Sequence, residues 1–381
     1  MRIGVLSMYY KDGYGVGYSV KKEIEELDRR GYKIFLVSPS ETDVNLKKFI
    51  LIPIRLLKWP VINIFKLRRD INKAIETLIN ESVDIYYINS LEFGLTNFKQ
   101  LKKSKVVYFA RSTIRGIKAN KPKEYFGDAI RKSFIDPVLI YLEKKCFANS
   151  DIIVVKSDRM KKEIVNLYKV NPKKIKIISG SIDTNDFPEM NETEKISFKK
   201  EIGLHNEKVI LFLGRITPSK GLRYLIKAFS IIAYSTPNIK LLIIGSSIRG
   251  KYIHTIRSLV SKLNIVDKTK FFGYIPQQNI YRYINVSDIV VVPSTYEPFG
   301  MTNLQAIALN KPLITTSVTG SLDLVRHYKC LQIVRPFKYE DIVNALNNVI
   351  KLNPNSCDGR NLIKNYTWSN TIDDLEKIFK N

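Results

Sequence analysis

The stretch Asp288–Gln305, DIVVVPSTYEPFGMTNLQ, decides how this chain folds. Its apolar run Ile289–Val292 ends at Pro293, a short loop with the acidic Glu297 follows, and a helical pattern begins near Met301. This order predicts a buried strand, a loop and a helix N-terminus. In an open parallel sheet, ligands bind beyond the carboxyl ends of the strands, and helix N-termini there bind anions. The stretch therefore predicts a site for a ligand with both hydroxyl and phosphate groups.

Short apolar runs alternate with amphipathic helical patterns along the whole chain, which indicates parallel sheets with right-handed crossovers. The predicted strands are Ile3–Met8, Lys33–Ser38, Phe49–Ile54, Asp84–Asn89, Val106–Ala110, Ile152–Val155, Ile175–Ser179, Val209–Leu213, Lys240–Ile244, Thr269–Phe272, Ile289–Val292, Leu313–Thr316 and Gln332–Val334. About 13 strands are too many for one compact sheet. We therefore predict an α/β protein with two doubly wound domains.

The boundary between the two domains is expected in the polar, turn-rich stretch Ser179–Lys195. We predict a first domain over residues 1–187 and a second over residues 188–365. A last helix, residues 366–381, is expected to pack back on the first domain. In the first domain, the helical pattern Val20–Arg30 should end at Gly31, because glycine favours the conformation that closes a helix.

The composition is that of an ordinary globular protein with a strong basic excess. The chain has 381 residues, 45% of them hydrophobic, and a formal net charge of +26. The excess is spread along both halves, so no confined basic tail for nucleic acid is visible. A diffuse basic surface fits anionic small substrates, anionic lipid surfaces or RNA, and it also fits a compositional bias toward lysine. Without an aromatic-basic RNA motif, no nucleic-acid partner is expected.

The cysteines and the N-terminus point to the cytoplasm. Cys146, Cys330 and Cys357 have no metal-ligand spacing, and so odd and sparse a count favours a reducing compartment. The first residues begin directly as a strand pattern rather than as a signal peptide. No uncharged apolar run of about 18 residues is present, so we predict no transmembrane helix. The expected location is cytoplasmic, either free or peripheral on the inner face of the cell membrane.

The stretch Lys47–Arg69 interleaves basic and large apolar residues. One interpretation places it in a membrane interface, with its basic residues on anionic headgroups. The other is a buried strand followed by a helix with a solvated face. Pro53 and Pro60 would break a long amphipathic helix, so we favour the second interpretation.

Two glycine-containing loops are candidates for phosphate binding. In the first, Gly13, Gly15 and Gly17 follow the first strand, and the helix that starts near Tyr18 would direct its N–H groups at an anion. The alternative is a turn that needs glycine for its own geometry. In the second, VILFLGRITPSKGL at residues 209–222, a buried strand leads to Arg215 and Lys220. These two cations would converge on one diphosphate, unless they are simply solvated.

Three further strand ends carry weaker signals. Gly245, Tyr274 and Ile275 would form the floor and wall of a nucleoside pocket, or ordinary turns over a core. Thr319 and Gly320 stand at another predicted helix N-terminus, where free backbone N–H groups would meet an anion or sugar hydroxyls. None of these signals is specific alone.

Together, these motifs resemble those of a known enzyme family. The chain is similar to the retaining nucleotide-sugar glycosyltransferases of family 4, whose GT-B fold has two Rossmann-like domains with parallel sheets facing a central cleft. The resemblance covers nearly the whole chain. It rests on the glycine loop, on SGSID at Ser179–Asp183, on GRITPSKG at Gly214–Gly221, and on the segment Tyr296–Val325.

The resemblance implies a role for each candidate residue. Arg215 and Lys220 would bind the donor diphosphate, and Glu297 would accept hydrogen bonds from the donor sugar; these three are the expected catalytic residues. Further donor contacts are implied for Gly15, Gly17, Gly245, Tyr274, Ile275, Phe299, Gly300, Met301, Thr302 and Gln305, the last on the ribose. The acceptor would bind mainly to the first domain. No divalent metal or other cofactor is expected, because arginine and lysine stabilise the leaving charge.

The expected reaction moves a hexosyl group from a UDP- or GDP-sugar to a saccharide or lipid-linked acceptor with retention. Two residues depart from the family pattern. Arg111 stands where many members have a histidine, and Gln305 where a second glutamate is usual. Arg111, with Thr319 and Gly320, is a candidate for contacts with the acceptor or sugar. The departures favour an alternative: a catalytically weak relative that binds a nucleotide sugar or a partner without transfer.

Overall fold

The computed structural model describes residues 1–8, 15–39, 49–54, 64–120, 135–247, 251–352 and 357–380. The chain divides into two compact units. The first unit comprises Met1–Ala119, Phe126–Ser179 and Trp368–Asn381, and the second comprises Asn120–Tyr125 and Gly180–Thr367. Each unit contains one parallel sheet, as predicted.

All thirteen predicted strands are present among the described residues, each within two residues of its expected bounds. In chain order they are β1 (Arg2–Leu6), β2 (Lys33–Pro39), β3 (Phe49–Ile54), β4 (Ile85–Ile88), β5 (Lys105–Phe109), β6 (Ile152–Val155), β7 (Ile175–Ile177), β8 (Lys208–Leu213), β9 (Ile239–Ile244), β10 (Thr269–Gly273), β11 (Ile289–Val292), β12 (Leu313–Thr316) and β13 (Leu331–Val334). Such apolar runs are typical of strands covered on both faces.

Fourteen α-helices are found in the described part of the chain. They are α1 (Val16–Arg29), α2 (Ile64–Asn80), α3 (Ile114–Ala119), α4 (Asp136–Asn149), α5 (Asp158–Tyr168), α6 (Glu192–Glu201), α7 (Leu222–Ser235), α8 (Lys251–Lys262), α9 (Ile280–Val286), α10 (Met301–Ala308), α11 (Leu322–Val325), α12 (Tyr339–Val349), α13 (Arg360–Ile363) and α14 (Trp368–Lys380).

The first sheet has seven strands in the order β3-β2-β1-β4-β5-β6-β7. Its side chains alternate between two apolar layers. Ile34 and Leu36 pack with residues of α1 and α14 on one face, and Phe35 and Val37 pack with α2 on the other. The strand order reverses between β1 and β4, which gives this unit the switch point of a doubly wound fold.

Helix α1 ends as the sequence predicts. Gly31 has a φ of 84°, its N–H donates to Asp28 O at 2.9 Å, and the N–H of Tyr32 donates to Leu27 O at 3.2 Å. This is a Schellman arrangement, in which the residue after the helix takes a left-handed conformation that glycine adopts without strain.

The second sheet has six strands in the order β10-β9-β8-β11-β12-β13, all parallel to their neighbours. Here the order reverses between β8 and β11. Both strands are buried along almost their whole length, and β11 consists of Ile289, Val290, Val291 and Val292. The loops that leave these two strands at their carboxyl ends therefore start side by side.

The division between the units lies at Gly180, eight residues before the predicted start of the second domain at residue 188. Residues 180–187 belong to the second unit because they bond to it. The N–H of Ile182 donates to Tyr366 O at 2.8 Å, and Arg360 Nη1 donates to Phe187 O at 3.1 Å. Because Tyr366 is held in this way, the chain rejoins the first unit only at Trp368, two residues later than predicted.

Helix α14 belongs to the first unit. Ile372 and Leu375 lie in the same apolar layer as Ile3 and Val5 of β1. Arg30, at the end of α1, pairs with two carboxylates of α14, Asp373 at 2.7 Å and Glu376 at 3.0 Å. An apolar stripe and an ion-pair network thus hold the last helix on the first sheet.

The basic and apolar stretch Lys47–Arg69 forms β3 and the start of α2, in line with the favoured strand-and-helix interpretation. Residues 47, 48 and 55–63 of this stretch, and Gly13 of the glycine loop, lie outside the described residues. Among the helices that the structure describes, none combines the length and the apolar character needed to cross a membrane.

Two of the three cysteines form a disulfide, Cys330–Cys357, with a Cα–Cα distance of 5.6 Å. The remaining one, Cys146, is buried and free. The sparse cysteine count led us to expect reduced thiols, and this pairing disagrees with that expectation. The two residues are 27 positions apart, so only the packing of the segments after α11 and before α13 brings them together.

Candidate active site

Two loops leave the second sheet at its switch point. Strand β8 runs into residues 214–221, and its neighbour β11 runs into residues 293–300. The sequence assigned Arg215 and Lys220 to the first loop and Glu297 to the second. The structure brings Lys220 and Glu297 into direct contact, and it places both loops at the sheet edge where doubly wound folds bind ligands.

The backbones of the two loops are joined. Ser219 O accepts hydrogen bonds from the N–H of Thr295 at 2.8 Å and of Tyr296 at 3.4 Å. Gly221 packs directly against the second loop, because a Cβ on it would lie 1.8 Å from Pro293 O. Its φ of 68° also favours glycine. The two loops therefore act as one rigid support for the side chains that they carry.

Lys220 and Glu297 form an ion pair on this support. Lys220 Nζ lies 2.5 Å from Glu297 Oε2, and the hydroxyl of Ser294 donates to the same oxygen at 3.1 Å. The side chains are 21% and 9% exposed, so the pair is partly shielded from water. In such surroundings both charges act more strongly on a ligand than they would in bulk water.

Arg215 differs from its neighbours in being exposed. Its side chain forms no hydrogen bond or ion pair with any described residue, so none of the five guanidinium N–H donors is used within the described part of the chain. A planar guanidinium binds phosphate oxygens in a bidentate manner. Two adjacent loops at the edge of the second sheet thus carry the ion pair of Lys220 and Glu297 and the exposed guanidinium of Arg215.

The ends of the next two strands adjoin this edge. Gly245, after β9, donates its N–H to Gly273 O at 2.7 Å, and a Cβ on Gly245 would lie 1.8 Å from Gly214 O. Gly245 therefore lies against the backbone that follows β8 and against the last residue of β10. Tyr274 is 43% exposed just beyond β10, and Ile275 next to it is half-buried. These residues, for which the sequence predicted a nucleoside pocket, extend the ligand-binding edge of the sheet beyond β8.

The loop with Glu297 is held from behind by the segment after β12. The N–H of Gly320 donates to Glu297 O at 3.0 Å, and that of Ser321 donates to Phe299 O at 2.7 Å. The N–H of Thr319 donates to Thr316 O at 3.1 Å. The expectation that these N–H groups are free for a ligand is therefore wrong, because they position the backbone of the loop.

Phe299 is buried at 4% exposure against Gly180 of the SGSID segment. A Cβ on Gly180 would lie 2.1 Å from Phe299 Cε1, so no larger residue fits there without moving the ring. Sequence reasoning named Phe299 as a donor contact and missed its packing on Gly180, although glycine in SGSID was a signal for close approach. Gly180 and Phe299 together fix the end of the Glu297 loop.

Helix α10 starts directly after Gly300, which has a φ of 99° and provides no side-chain cap. Met301 and Thr302 are half-buried in its first turn. Gln305, one turn later, is 6% exposed, and its amide has no hydrogen-bond partner among the described residues. A side-chain amide at this position can donate to or accept from a polar group of a ligand.

The remaining predicted residues lie in the first unit. Gly15 and Gly17 stand at the start of α1, and Gly15 has a φ of 79°. Arg111 follows β5 and is buried, with Nη2 2.6 Å from Glu23 Oε2. Its guanidinium also stacks 3.6 Å above the Phe109 ring. Arg111 is therefore engaged by its own unit, and its predicted contact with an acceptor stays a prediction.

No group of three or more His, Cys, Asp or Glu side chains suitable for a metal ion is found within the described ranges.

The comparisons with known proteins agree with this geometry. The sequence model described as "Glycosyl transferases group 1" matches residues 193–367, and the one described as "Glycosyltransferase Family 4" matches residues 14–186. An uncharacterized glycosyltransferase of Methanocaldococcus jannaschii is 29% identical over 236 residues. That match covers 60% of this chain and 59% of the relative, which is less than two thirds of the relative's length.

Solved structures show the same fold. Sucrose-phosphate synthase from Thermosynechococcus elongatus superposes with a TM-score of 0.83 at 19% identity, covering 100% of this chain and 98% of that one. HepE of Anabaena in complex with UDP-glucose gives a TM-score of 0.78 at 16% identity, covering 100% and 99%. Both family models match, one on each unit, and both units have the doubly wound sheet. The chain therefore belongs to the family 4, group 1 glycosyltransferases with the GT-B fold.

Proposed function

We propose that this protein is a retaining glycosyltransferase that moves a hexosyl group from a UDP- or GDP-sugar to a hydroxyl of a saccharide or lipid-linked acceptor. The observation that carries the proposal is that Lys220 and Glu297 are in contact, with Arg215 on the same pair of joined loops, at the switch point of the second sheet. HepE, a structural neighbour, was solved with UDP-glucose, which supports a nucleotide sugar as donor.

In the proposed reaction, Arg215 and Lys220 bind the two phosphates of the donor. As the bond between the anomeric carbon and the diphosphate breaks, negative charge grows on the leaving oxygen, and these cations stabilise it. Because they supply this charge stabilisation, the reaction is proposed to need no divalent metal or other cofactor. Glu297 accepts hydrogen bonds from sugar hydroxyls and orients the ring.

Retention follows if the acceptor attacks on the face that the diphosphate leaves. The acceptor oxygen forms the new bond to the anomeric carbon, and its proton passes to the departing phosphate. The protein then has to position the two substrates and stabilise the leaving group, which can account for a large share of catalysis. The first unit is proposed to bind the acceptor. The basic surface would allow peripheral contact with an anionic membrane if that acceptor is lipid-linked.

A second candidate is a relative that binds a nucleotide sugar or a partner without transfer. It is favoured by Gln305 at a position where the family usually has glutamate, and by the pairing of Arg111 with Glu23. The two candidates differ in turnover rather than in binding.

A thermal-shift screen of UDP-, GDP- and ADP-sugars on the full chain tests donor binding, because a ligand that binds only the folded state raises its apparent stability. Release of UDP or GDP is then measured with the donor that binds, alone and with a panel of saccharide acceptors. Turnover that depends on an acceptor supports the transferase. Tight donor binding with no nucleotide release would support the second candidate. Failure to bind any of the donors would contradict the transferase and leave only the partner-binding form of the second candidate.

A further inference from the structure

A buried polar cluster lies in the first unit, around Glu23 of α1. Glu23 of α1 receives two hydrogen bonds from Arg111, Nη1 to Oε1 at 2.9 Å and Nη2 to Oε2 at 2.6 Å. The hydroxyl of Tyr87 donates to Oε2 of the same carboxylate at 2.8 Å. Glu23 is completely buried, so the pair has a fixed geometry. This pair in turn fixes a neighbouring side chain, Asn89.

Asn89 follows β4 and is 3% exposed. Its Oδ1 accepts hydrogen bonds from Arg111 Nη2 at 2.5 Å and Nε at 3.2 Å. A guanidinium can only donate, so the amide must turn its oxygen to Arg111 and its Nδ2 away from it. That Nδ2 is buried and has no hydrogen-bond partner among the residues that the structure describes. Burying an amide donor without a partner costs free energy, and the cost is recovered when a ligand oxygen accepts from it.

Asn89 lies at the carboxyl end of the first sheet, where its backbone N–H donates to Leu6 O at 2.8 Å. Its link to helix α1 runs through Arg111, which bonds both Asn89 and Glu23. Lys156, after β6, donates from Nζ to the hydroxyl of Ser19 in the first turn of α1, at 3.3 Å. Helix α1 has 14 residues and no side-chain cap at Gly15, so its first turn carries a partial positive charge.

The cluster carries an excess of positive charge. Arg111 and Lys156 lie 3.6 Å and 5.9 Å from the centre of the Phe109 ring, and Glu23 supplies one negative charge to the pair. Lys156 is 8% exposed. Burial, and next to it the charge of Arg111, lowers the pKa of Lys156 to about 7. An anion bound here would relieve both the repulsion between the cations and the loss of hydration.

We propose that Asn89 and Lys156 form a subsite for a phosphoryl group of the acceptor, with Asn89 Nδ2 and Lys156 Nζ as donors to its oxygens. Arg111 is a positioning residue in this subsite, because it fixes the amide of Asn89 and is itself fixed by Glu23. The inference rests on the proposed function only in assigning the phosphoryl group to the acceptor substrate. The subsite itself is a property of the first unit.

The test uses inorganic phosphate as the probe and isothermal titration calorimetry of the full chain. Asn89→Asp keeps an oxygen toward Arg111 and replaces the free donor with a charged acceptor. Lys156→Gln removes the cation. We expect each substitution to weaken phosphate binding at least tenfold. Lys103→Gln changes an exposed lysine of the same unit and should bind phosphate like the wild type.

Lys220→Gln separates this subsite from the donor site. The proposal predicts that Lys220→Gln leaves a phosphate-binding event that Asn89→Asp and Lys156→Gln abolish, while nucleotide binding responds only to Lys220→Gln. Phosphate binding that is lost in Lys220→Gln and kept in both first-unit variants would overturn the subsite. So would wild-type protein that binds no phosphate at millimolar concentration. Failure of nucleotide binding in the wild type would instead refute the proposed function and leave the phosphate result valid.

Should Asn89→Asp or Lys156→Gln fail to fold, the more conservative Lys156→Arg supplies the test. It keeps the charge and should retain phosphate binding within about threefold, whereas a purely structural role for Lys156 predicts no relation between its charge and phosphate affinity. A circular dichroism melt of each variant identifies those that fold.

Discussion

Lys220 Nζ and Glu297 Oε2 are 2.5 Å apart, although the two residues are separated by 77 positions in the chain. The sequence assigned one to the phosphates and the other to the sugar of the same ligand. Their contact places the cation assigned to the phosphates beside the carboxylate assigned to the sugar, as a ligand in which the sugar is bonded to a diphosphate requires. It also means that each charge holds the other in place before any ligand binds.

Lys220→Ala and Glu297→Ala should each reduce transfer by orders of magnitude, since each removes a charged group from the reacting centre. Because the two side chains touch, the double variant should lose less than the sum of the two single losses on a logarithmic scale. Nucleotide release with saturating donor measures this, and Lys262→Ala, an exposed lysine of α8, is the control. Near-normal turnover in either single variant would contradict the assigned roles.

Gly221→Ala should destabilise the second unit more than Gly273→Ala. The two glycines have nearly the same φ, 68° and 70°. A Cβ on Gly221 would lie 1.8 Å from Pro293 O, whereas nothing lies within 4 Å of one on Gly273. Backbone strain alone costs about 1 kcal/mol. Urea denaturation should show at least about 2 kcal/mol more for Gly221→Ala. An equal loss of unfolding free energy in the two variants would mean that the two loops can move apart without a loss of stability.

Gln305→Glu should tighten nucleotide binding about fivefold if Gln305 contacts the ribose, because a carboxylate strengthens hydrogen bonds from hydroxyls by about 1 kcal/mol. Gln305→Ala should weaken binding, since it removes the acceptor altogether. Calorimetry with UDP or GDP measures both. Affinities that stay the same in the two variants would place the ribose elsewhere.

Glu143 should make stability depend on pH. Burial raises its pKa to about 7 from an ordinary value of 4.5, although hydrogen bonds from Tyr168 and the N–H of Ile114 favour the charged form. Between these values the folded protein binds more protons than the unfolded chain. The contribution is therefore fully present below pH 4.5 and is lost as the pH rises through 7, by up to about 3 kcal/mol.

Urea denaturation at pH 5 and pH 8 measures this difference. Glu143→Gln should reduce it, and Glu76→Gln, which changes an exposed carboxylate of the same unit, should not. The same pH dependence in Glu143→Gln and in the wild type would show that another group is responsible.

Reduction of Cys330–Cys357 should destabilise the second unit. The bond closes a loop of 27 residues, for which the loss of chain entropy in the unfolded state corresponds to about 3.5 kcal/mol. Denaturation with and without a phosphine reductant measures the loss. The Cys330→Ser, Cys357→Ser double variant should match the reduced protein and should not respond to reductant. Equal midpoints for oxidised and reduced wild type would show that the pair contributes nothing.

Local sequence patterns were enough to predict the thirteen strands, the cap at Gly31 and the two loops of the second sheet, because each depends on residues that are close in the chain. Apolar runs mark strands covered on both faces, and glycine marks a left-handed turn.

The tertiary structure alone decided which distant groups meet. It paired Lys220 with Glu297, placed Phe299 on Gly180, engaged the N–H groups of Gly320 and Ser321, and fixed the amide of Asn89 against Arg111. Each of these contacts joins segments that come together only when the strand order of a sheet is set. No local pattern reports that order, because it is determined by packing across the whole unit.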